Sequence, residues 1–348
     1  MTNSITELAY LYDKPKSHGE LRSCVDDFKV FEILPFEPCG EGEHLIIHIR
    51  KTGANTLFVA RQLAKYFKVK DALVSYAGLK DRNAVTEQYF GVHVPGKTQY
   101  DLSDLDIEGV QVLSYKRHNK KLKTGALIGN RFELMLRNVD DIDDIKTRWQ
   151  KILSFGVPNY FGEQRFGQQG NNLTAASELF NGKKVKDKKK RGFYLSAARS
   201  FLFNQFVNER INNNQFSSPM NGDVYMLSGS RSIFSQDEID DVIMTRLAEK
   251  DIAITAPLWG AGEVATSNQA LDFEQELASN YVEFCQGLAK FGLKQERRSI
   301  SLFVESGQLE VINDDIKLSF FLPAGCFATT ILRELLQYTD VSQSHFEQ

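Results

Sequence analysis

Asp81 lies between two cations, Lys80 and Arg82, in the stretch Tyr76-Ala-Gly-Leu-Lys-Asp-Arg-Asn-Ala-Val-Thr-Glu-Gln-Tyr-Phe-Gly91. A carboxylate beside a fixed cation stays ionised where water is excluded, and can then act as a nucleophile or a base. A plain turn needs a Gly and an Asn; this connection adds Lys, Asp, Arg and Thr, more chemistry than a turn requires. A second stretch, Pro158-Asn-Tyr-Phe-Gly-Glu-Gln-Arg-Phe-Gly167, combines three aromatics, an Arg and two glycines. Such side chains can stack on bases and touch phosphates. They can equally pack two domains together, and spacing alone favours packing. His44 and His48 are four apart, but no Glu follows the first, and the local period of two spreads them along a strand instead of gathering them as metal ligands.

These residues need elements to position them. The apolar runs Ala72 to Ala77 and Tyr89 to Val94 predict strands on either side of the Lys-Asp loop. Asp27 to Leu34 alternates with Phe28, Val30 and Glu32 on one side. In Glu43 to Lys51, Leu45, Ile47 and Ile49 face one way and His44, Ile46, His48 and Arg50 the other. Asn55 can cap a helix with Leu57, Ala60, Leu63, Ala64 and Phe67 on its apolar face. Gln111 to Tyr115 predicts a strand and Lys116 to Lys123 a basic connection. Asn130 to Arg137 predicts a strand with Phe132, Leu134 and Leu136 on one face. Asp143 to Phe155 reads as an amphipathic helix with Ile145, Trp149, Ile152 and Leu153 inward, ended by Gly156. Helices are expected from Asn172 and from Ser196, with a Lys-rich run between them. Strands Ile300 to Val304 and Ile316 to Leu322 then lead into a helix with Ile331, Leu332, Leu335 and Leu336 inward.

With 348 residues, 42% of them hydrophobic, the chain is long enough for a buried core and more naturally forms two domains than one. No run approaches the ~20 apolar residues of a membrane helix, and MTNSITELAY lacks a basic and an apolar leader region, so a cytoplasmic protein is expected. Four scattered cysteines suggest neither a disulfide framework nor a metal site. The net charge of −3 argues against a nucleic-acid partner, but its distribution argues for one. Lys116 to Arg131 holds six Lys/Arg and no acid, and Lys183 to Arg191 holds seven against one Asp. Local patches set the field a polyanion meets, although a solvated surface loop would look the same.

Three stretches together resemble the tRNA pseudouridine synthase D family. They are Gly78-x-Lys80-Asp81-x-x-Ala84-x-Thr86-x-Gln88, the Pro158 to Gly167 segment, and Leu322-Pro-Ala-Gly-x-Phe-Ala-Thr329. The likeness continues through Gly40-Glu-Gly-Glu-His44 and Leu195-Ser-Ala-Ala-Arg-Ser200 and covers essentially the whole chain. It implies an α+β fold: a catalytic domain with a mixed sheet built from residues 1–156 and 304–348, and an inserted second domain from residues 157–303. It implies Asp81 as the catalytic residue, with Phe28, Asn130, Phe132 and Phe327 around the target uridine, Lys80 beside it, and Arg22 where the family pattern calls for Lys. The implied substrate is tRNA, at uridine 13 of the D-arm.

Isomerising uridine to pseudouridine breaks C1′–N1, turns the uracil and joins C1′ to C5, with no redox change, so no cofactor is expected. Either Arg22 or Lys80 could keep Asp81 charged. A flipped base regains stacking on an aromatic ring, for which Phe28 or Phe327 would serve, and Asn130 can match the uracil edge. Packing alone would also account for each of these phenylalanines, one of 25 in the chain. A monomer is expected. The alternatives are a structured-RNA-binding protein without catalysis, and a metal-dependent phosphodiesterase using Asp81 with Glu87 or another acid.

Overall fold

A computed structural model describes residues 7–342; residues 1–6, which hold much of the N-terminal segment read above, and 343–348 lie outside the described range. The chain forms two compact units. One comprises Pro15–Ser154, Val304–Ala328 and 335–342, and the other 7–14, Phe155–Phe303 and Thr329–Glu334.

The first unit is built on a ten-stranded sheet. In chain order its strands are β1 (His18–Leu21), β2 (Phe28–Ile33), β3 (His44–Thr52), β4 (Val74–Tyr76), β5 (Val85–His93), β6 (Val110–His118), β7 (Gly129–Arg137), β8 (Glu305–Ile312), β9 (Asp315–Pro323) and β10 (Gln337–Asp340). The main path runs β8-β9-β7-β2-β5-β3-β6, with β4 added to β5, and β1 joining β7 to β10. The β2–β5 and β1–β10 pairs are parallel and the others antiparallel, so the sheet is mixed and the fold is α+β.

Cross-strand register puts Lys51 of β3, Thr86 of β5, Val30 of β2, Phe132 of β7 and Phe320 of β9 in one row. The parallel row brings Ile49 opposite Gln88, and Glu32 opposite Asn130, which in turn faces Leu322. Side chains in register share a face. On this face helix α1 (Thr56–Tyr66) packs Val59, Ala60, Leu63 and Ala64 against Leu45, Ile47, Ile49, Phe90 and Val92. Helix α2 (Ile142–Phe155) brings Trp149 to 6.0 Å from Phe320 on the other side of the sheet's centre.

Several sequence expectations need correction. Val59 is inward and Leu57 is 42% exposed, because the buried stripe runs through Thr56, Val59, Ala60, Leu63 and Ala64, and Leu57 lies about 100° round the helix from Thr56. β5 begins at Val85, four residues before the apolar run, since Thr86 and Gln88 are buried polar side chains that break the hydrophobic pattern. β6 runs on through Lys116 to His118, so part of the basic connection is strand. Ile300 to Val304 yields only the two-residue strand Ser301–Leu302.

The second unit packs around the helix Lys188–Asn212, which starts eight residues before the expected Ser196 because Asp187 caps it at the Lys-rich run. Phe201, Phe203 and Phe206 from this helix lie in one core with Tyr225, Ile252, Ile254 and Leu288. A four-stranded antiparallel sheet and the buried ion pairs Arg210–Asp223 and Arg297–Glu274 complete it. Tyr160 and Phe166 of the aromatic stretch belong to this core. Asn204 brackets the neighbouring Phe161, its side chain accepting from the Phe161 N–H at 2.8 Å and donating to the Phe161 carbonyl at 2.9 Å. For these two rings packing, not an open stacking platform, is the observed role.

Candidate active site

The connection from Ala77 to Ala84 lies over the sheet face just described, and side chains from the sheet and α1 pin its backbone at successive points. Gln88 Nε2 donates to the Gly78 carbonyl at 2.5 Å. Thr56 Oγ1, at the first turn of α1, accepts from the Lys80 N–H at 3.0 Å and donates to Gln88 Oε1 at 3.1 Å. Lys51 Nζ donates to the carbonyls of Asp81 and Ala54, both at 2.8 Å. A loop whose peptide groups are satisfied by buried side chains has its conformation imposed by the sheet.

The cation paired with Asp81 is neither of its chain neighbours. Arg82 Nε donates to the Gly53 carbonyl at 3.2 Å. Lys80 reaches across the face, donating to Asn130 Oδ1 at 2.9 Å and ion-pairing with Glu32 Oε1 at 3.1 Å. Arg22 Nη2 donates to Asp81 Oδ2 at 2.8 Å. The same guanidinium donates through Nη1 to Asp340 Oδ2 at 2.5 Å and lies with Cζ 4.0 Å from the centre of the Phe28 ring. Arg22 follows β1 with φ 58°, a left-handed turn residue that departs from the strand direction. Its planar fork serves two carboxylates at once, which a Lys ammonium could not do in the same geometry.

Arg22 is only 5% exposed at its side chain, whereas Asp81 is 40% exposed. The carboxylate is therefore backed by a buried cation and open on its other side. Phe28 meets Phe132 edge-to-face at 6.3 Å, and Phe132 stacks on Phe320 at 5.4 Å. Six of the seven residues selected from the sequence thus fall into two adjoining chains of contacts, Asp81–Arg22–Phe28–Phe132 and Lys80–Asn130. The β2–β7 register, which puts Glu32 opposite Asn130, links the two. Phe327 stands half-buried beyond the end of β9, in a segment tied to the start of β7 by the Ala324 N–H donating to the Ile128 carbonyl at 2.9 Å.

Three participants escape a motif-based reading. Glu32 is buried, accepts from the Tyr89 N–H at 2.9 Å and neutralises Lys80. Asp340, far down the chain, shares Arg22 with Asp81. Lys51 is fully buried, and burial pushes its pKa down to about 8, with the nearby Asp81 opposing that shift and Lys80 adding to it. The signal for Lys51 was present in the sequence: it stands two residues after Ile49, where the period of Leu45, Ile47 and Ile49 calls for an apolar side chain.

Glu87 lies on the opposite face of β5 from Gln88, held by Arg50 at 2.8 Å with His48 at 3.5 Å, so it does not join Asp81 as the phosphodiesterase alternative needs. His48 itself stacks on Tyr89 at 4.2 Å, a strand histidine as expected. Among the described residues no helix is long and apolar enough to cross a membrane.

The model of the family described as tRNA pseudouridine synthase D (TruD) matches residues 4–186 and 183–335. A tRNA pseudouridine synthase D of Colwellia psychrerythraea is 62% identical, covering 97% of this chain and 95% of that protein. One from Shewanella oneidensis is 49% identical over 99% of this chain and 92% of its own length. A Methanosarcina mazei crystal structure described as a tRNA pseudouridine synthase D superposes with a TM-score of 0.70 at 22% identity, covering 94% and 95% of the two chains, which carries the fold. Nearly the full length of the chain is matched in every one of these comparisons, and it belongs to the tRNA pseudouridine synthase D family.

Proposed function

We propose that this chain isomerises uridine to pseudouridine in tRNA, that Asp81 is the reacting carboxylate, and that the target is uridine 13 of the D-arm in a subset of tRNAs. Family membership carries the reaction class, that of a tRNA pseudouridine synthase, an isomerase. The observation that supports the role of Asp81 is its asymmetric setting, with the buried guanidinium of Arg22 at 2.8 Å behind a carboxylate that is open in front. A flipped nucleotide can bring C1′ to that open side, where the ionised oxygen either attacks C1′ as uracil leaves or removes a proton from the sugar. The uracil then turns, C5 bonds to C1′, and the C5 hydrogen is lost to water while N1 takes up a proton.

The remaining residues divide the work of holding the base. An ammonium can meet only the oxygen of an amide, so Lys80 fixes Asn130 Oδ1 and leaves the amide N–H groups to donate to a uracil carbonyl. Phe327 offers an aromatic surface for stacking. Phe28 and Phe132 are nearly fully buried, and support Arg22 from beneath. The unit containing Asp81 is the catalytic domain in this reading, and residues 157–303 form a domain inserted into it; tRNA is the only partner required, and no cofactor takes part. Position 13 rests on the resemblance to the family.

Incubation with tRNA tritiated at uracil C5 tests the reading, since isomerisation releases the label to water and binding does not. No release from a complete set of cellular tRNAs would sink it. Asp81→Asn is expected to abolish release while retaining tRNA binding, and label confined to uridine 13 tests the position.

A further inference from the structure

Lys51 is a costly side chain to bury under the Asp81 loop. It is fully buried on the sheet face otherwise formed by Leu45, Ile47 and Ile49, and among the described residues no carboxylate pairs with its ammonium. Its hydrogen-bond acceptors are two peptide carbonyls, those of Ala54 and Asp81. The groups facing it are the Asp81 and Lys80 side-chain charges from the loop, the uncharged Thr86 opposite on β5, and the turn at Ala54. Removing an ammonium from water without a counter-ion is expensive, and a methionine of similar length would suit an apolar strand face far better.

The placement of its bonds gives the lysine a use. Asp81 is held at two points, its carbonyl by Lys51 at 2.8 Å and its carboxylate Oδ2 by Arg22 at 2.8 Å. With both ends of a short side chain and its peptide group fixed, the free carboxylate oxygen has little room to wander. We infer that Lys51 is a positioning residue for the isomerisation, setting the approach of the Asp81 carboxylate to substrate by anchoring the aspartate's own main chain. This rests on the reading of Asp81 as the reacting group. A displacement of about 1 Å at a reacting atom lowers a rate on the order of 10²-fold.

The test is single-turnover tritium release from tRNA labelled at uracil C5, with enzyme in excess, for wild type, Lys51→Met, Lys51→Gln and Asp81→Asn. Lys51→Met and Lys51→Gln are expected to lose on the order of 10²-fold in the rate constant at saturating enzyme, with tRNA affinity within about twofold of wild type. In wild type the rate is expected to fall modestly as pH rises past about 8, where the charge-assisted bond from the Lys51 ammonium to the Asp81 carbonyl becomes the weaker bond of a neutral amine, and Lys51→Gln lacks that step. A purely structural lysine would leave the pH profile unchanged by the Gln substitution. Wild-type rates in a folded Lys51→Met, or identical pH profiles for wild type and Lys51→Gln, would overturn the proposal alone, provided Asp81→Asn is inactive. An active Asp81→Asn would overturn the reading of Asp81 and this proposal with it. Should Lys51→Met fail to fold by circular dichroism, Lys51→Gln and the wild-type profile still decide.

Discussion

Glu32 has no exposed side-chain surface, and Lys80, its ion partner, is 8% exposed. Replacing only the acid strands the ammonium, and breaking one side of a buried pair typically costs about 3–5 kcal/mol. Because Lys80 keeps Asn130 Oδ1 as an acceptor, Glu32→Gln is expected near the lower end, about 3 kcal/mol in urea unfolding. Lys51 gives a pH-dependent companion. Its folded pKa of about 8 lies below the ordinary 10.5 of a lysine, so between those values the unfolded chain binds a proton that the folded chain has released. The strain of burying its charge is present at neutral pH and relieved as pH rises from about 8 towards 10.5, so this lysine contributes a stability that increases with pH in that window. The difference in unfolding free energy between wild type and Lys51→Gln, followed by urea titration at several pH values, should grow in favour of wild type across the window; a constant difference would contradict the assignment. Residue chemistry was legible where a motif gathers it, as at Lys80-Asp81. It was hidden where a partner is remote and outside any motif, as with Asp340, or where a strand period conceals a charged side chain among apolar ones, as with Lys51.

At the scale of elements, the loop and the strands that brace it stand or fall together. Gly129 begins β7 next to Asn130, and a Cβ there would run into the Leu322 carbonyl and the Phe321 ring of β9. The carbonyl is main chain and cannot swing aside as a ring can, so Gly129→Ala must part the β7–β9 pairing beside Asn130. A stability loss of about 1–3 kcal/mol is expected from thermal unfolding, accompanied by a fall in isomerisation rate larger than the folded fraction explains. Asn55→Ala is milder. Its side chain accepts from the Leu57 N–H at 2.8 Å, and losing such a cap costs about 1 kcal/mol. The cap also orients Thr56 towards Lys80 and Gln88, so the variant should lower the rate at a temperature where it remains fully folded. This helix start could be read from the sequence through its cap, and its inward face only in part: Ala60, Leu63 and Ala64 pack inward as expected, but Thr56 and Val59 join them and Leu57 does not. Likewise the helix beginning at Lys188 was obscured because lysines carry no apolar period, while its Asp187 cap was present in plain sight.

At the scale of the whole chain, the two compact units draw on separated pieces of sequence, and the chain leaves the first unit at Phe155 and returns to it at Val304. Periodicity and composition do not carry that information; among sequence signals the family resemblance alone implied a return, at residue 304. Charge distribution, in contrast, can be read without a fold and leads to a prediction for substrate binding. The net charge is −3, yet Lys184, Lys188 and Lys190 are exposed within a basic run, while Lys183 is paired with Glu178 at 2.6 Å. Lys188 and Lys190 stand in the first turn of the helix Lys188–Asn212, where the positive end of the helix dipole disfavours cations. Their removal should not weaken the fold and should raise its melting temperature slightly. If they meet tRNA phosphates, each contact releases counter-ions and adds about 0.7–0.9 to the slope of log affinity against log salt. The triple variant Lys184→Ala, Lys188→Ala, Lys190→Ala is therefore expected to bind tRNA on the order of tenfold more weakly at moderate salt, with a slope shallower by about 2–3. The single-turnover rate at saturating enzyme should be unchanged, because phosphate contacts position the RNA without touching the base. Filter binding across a salt series measures both quantities, and an unaltered slope would assign these lysines to the solvated surface.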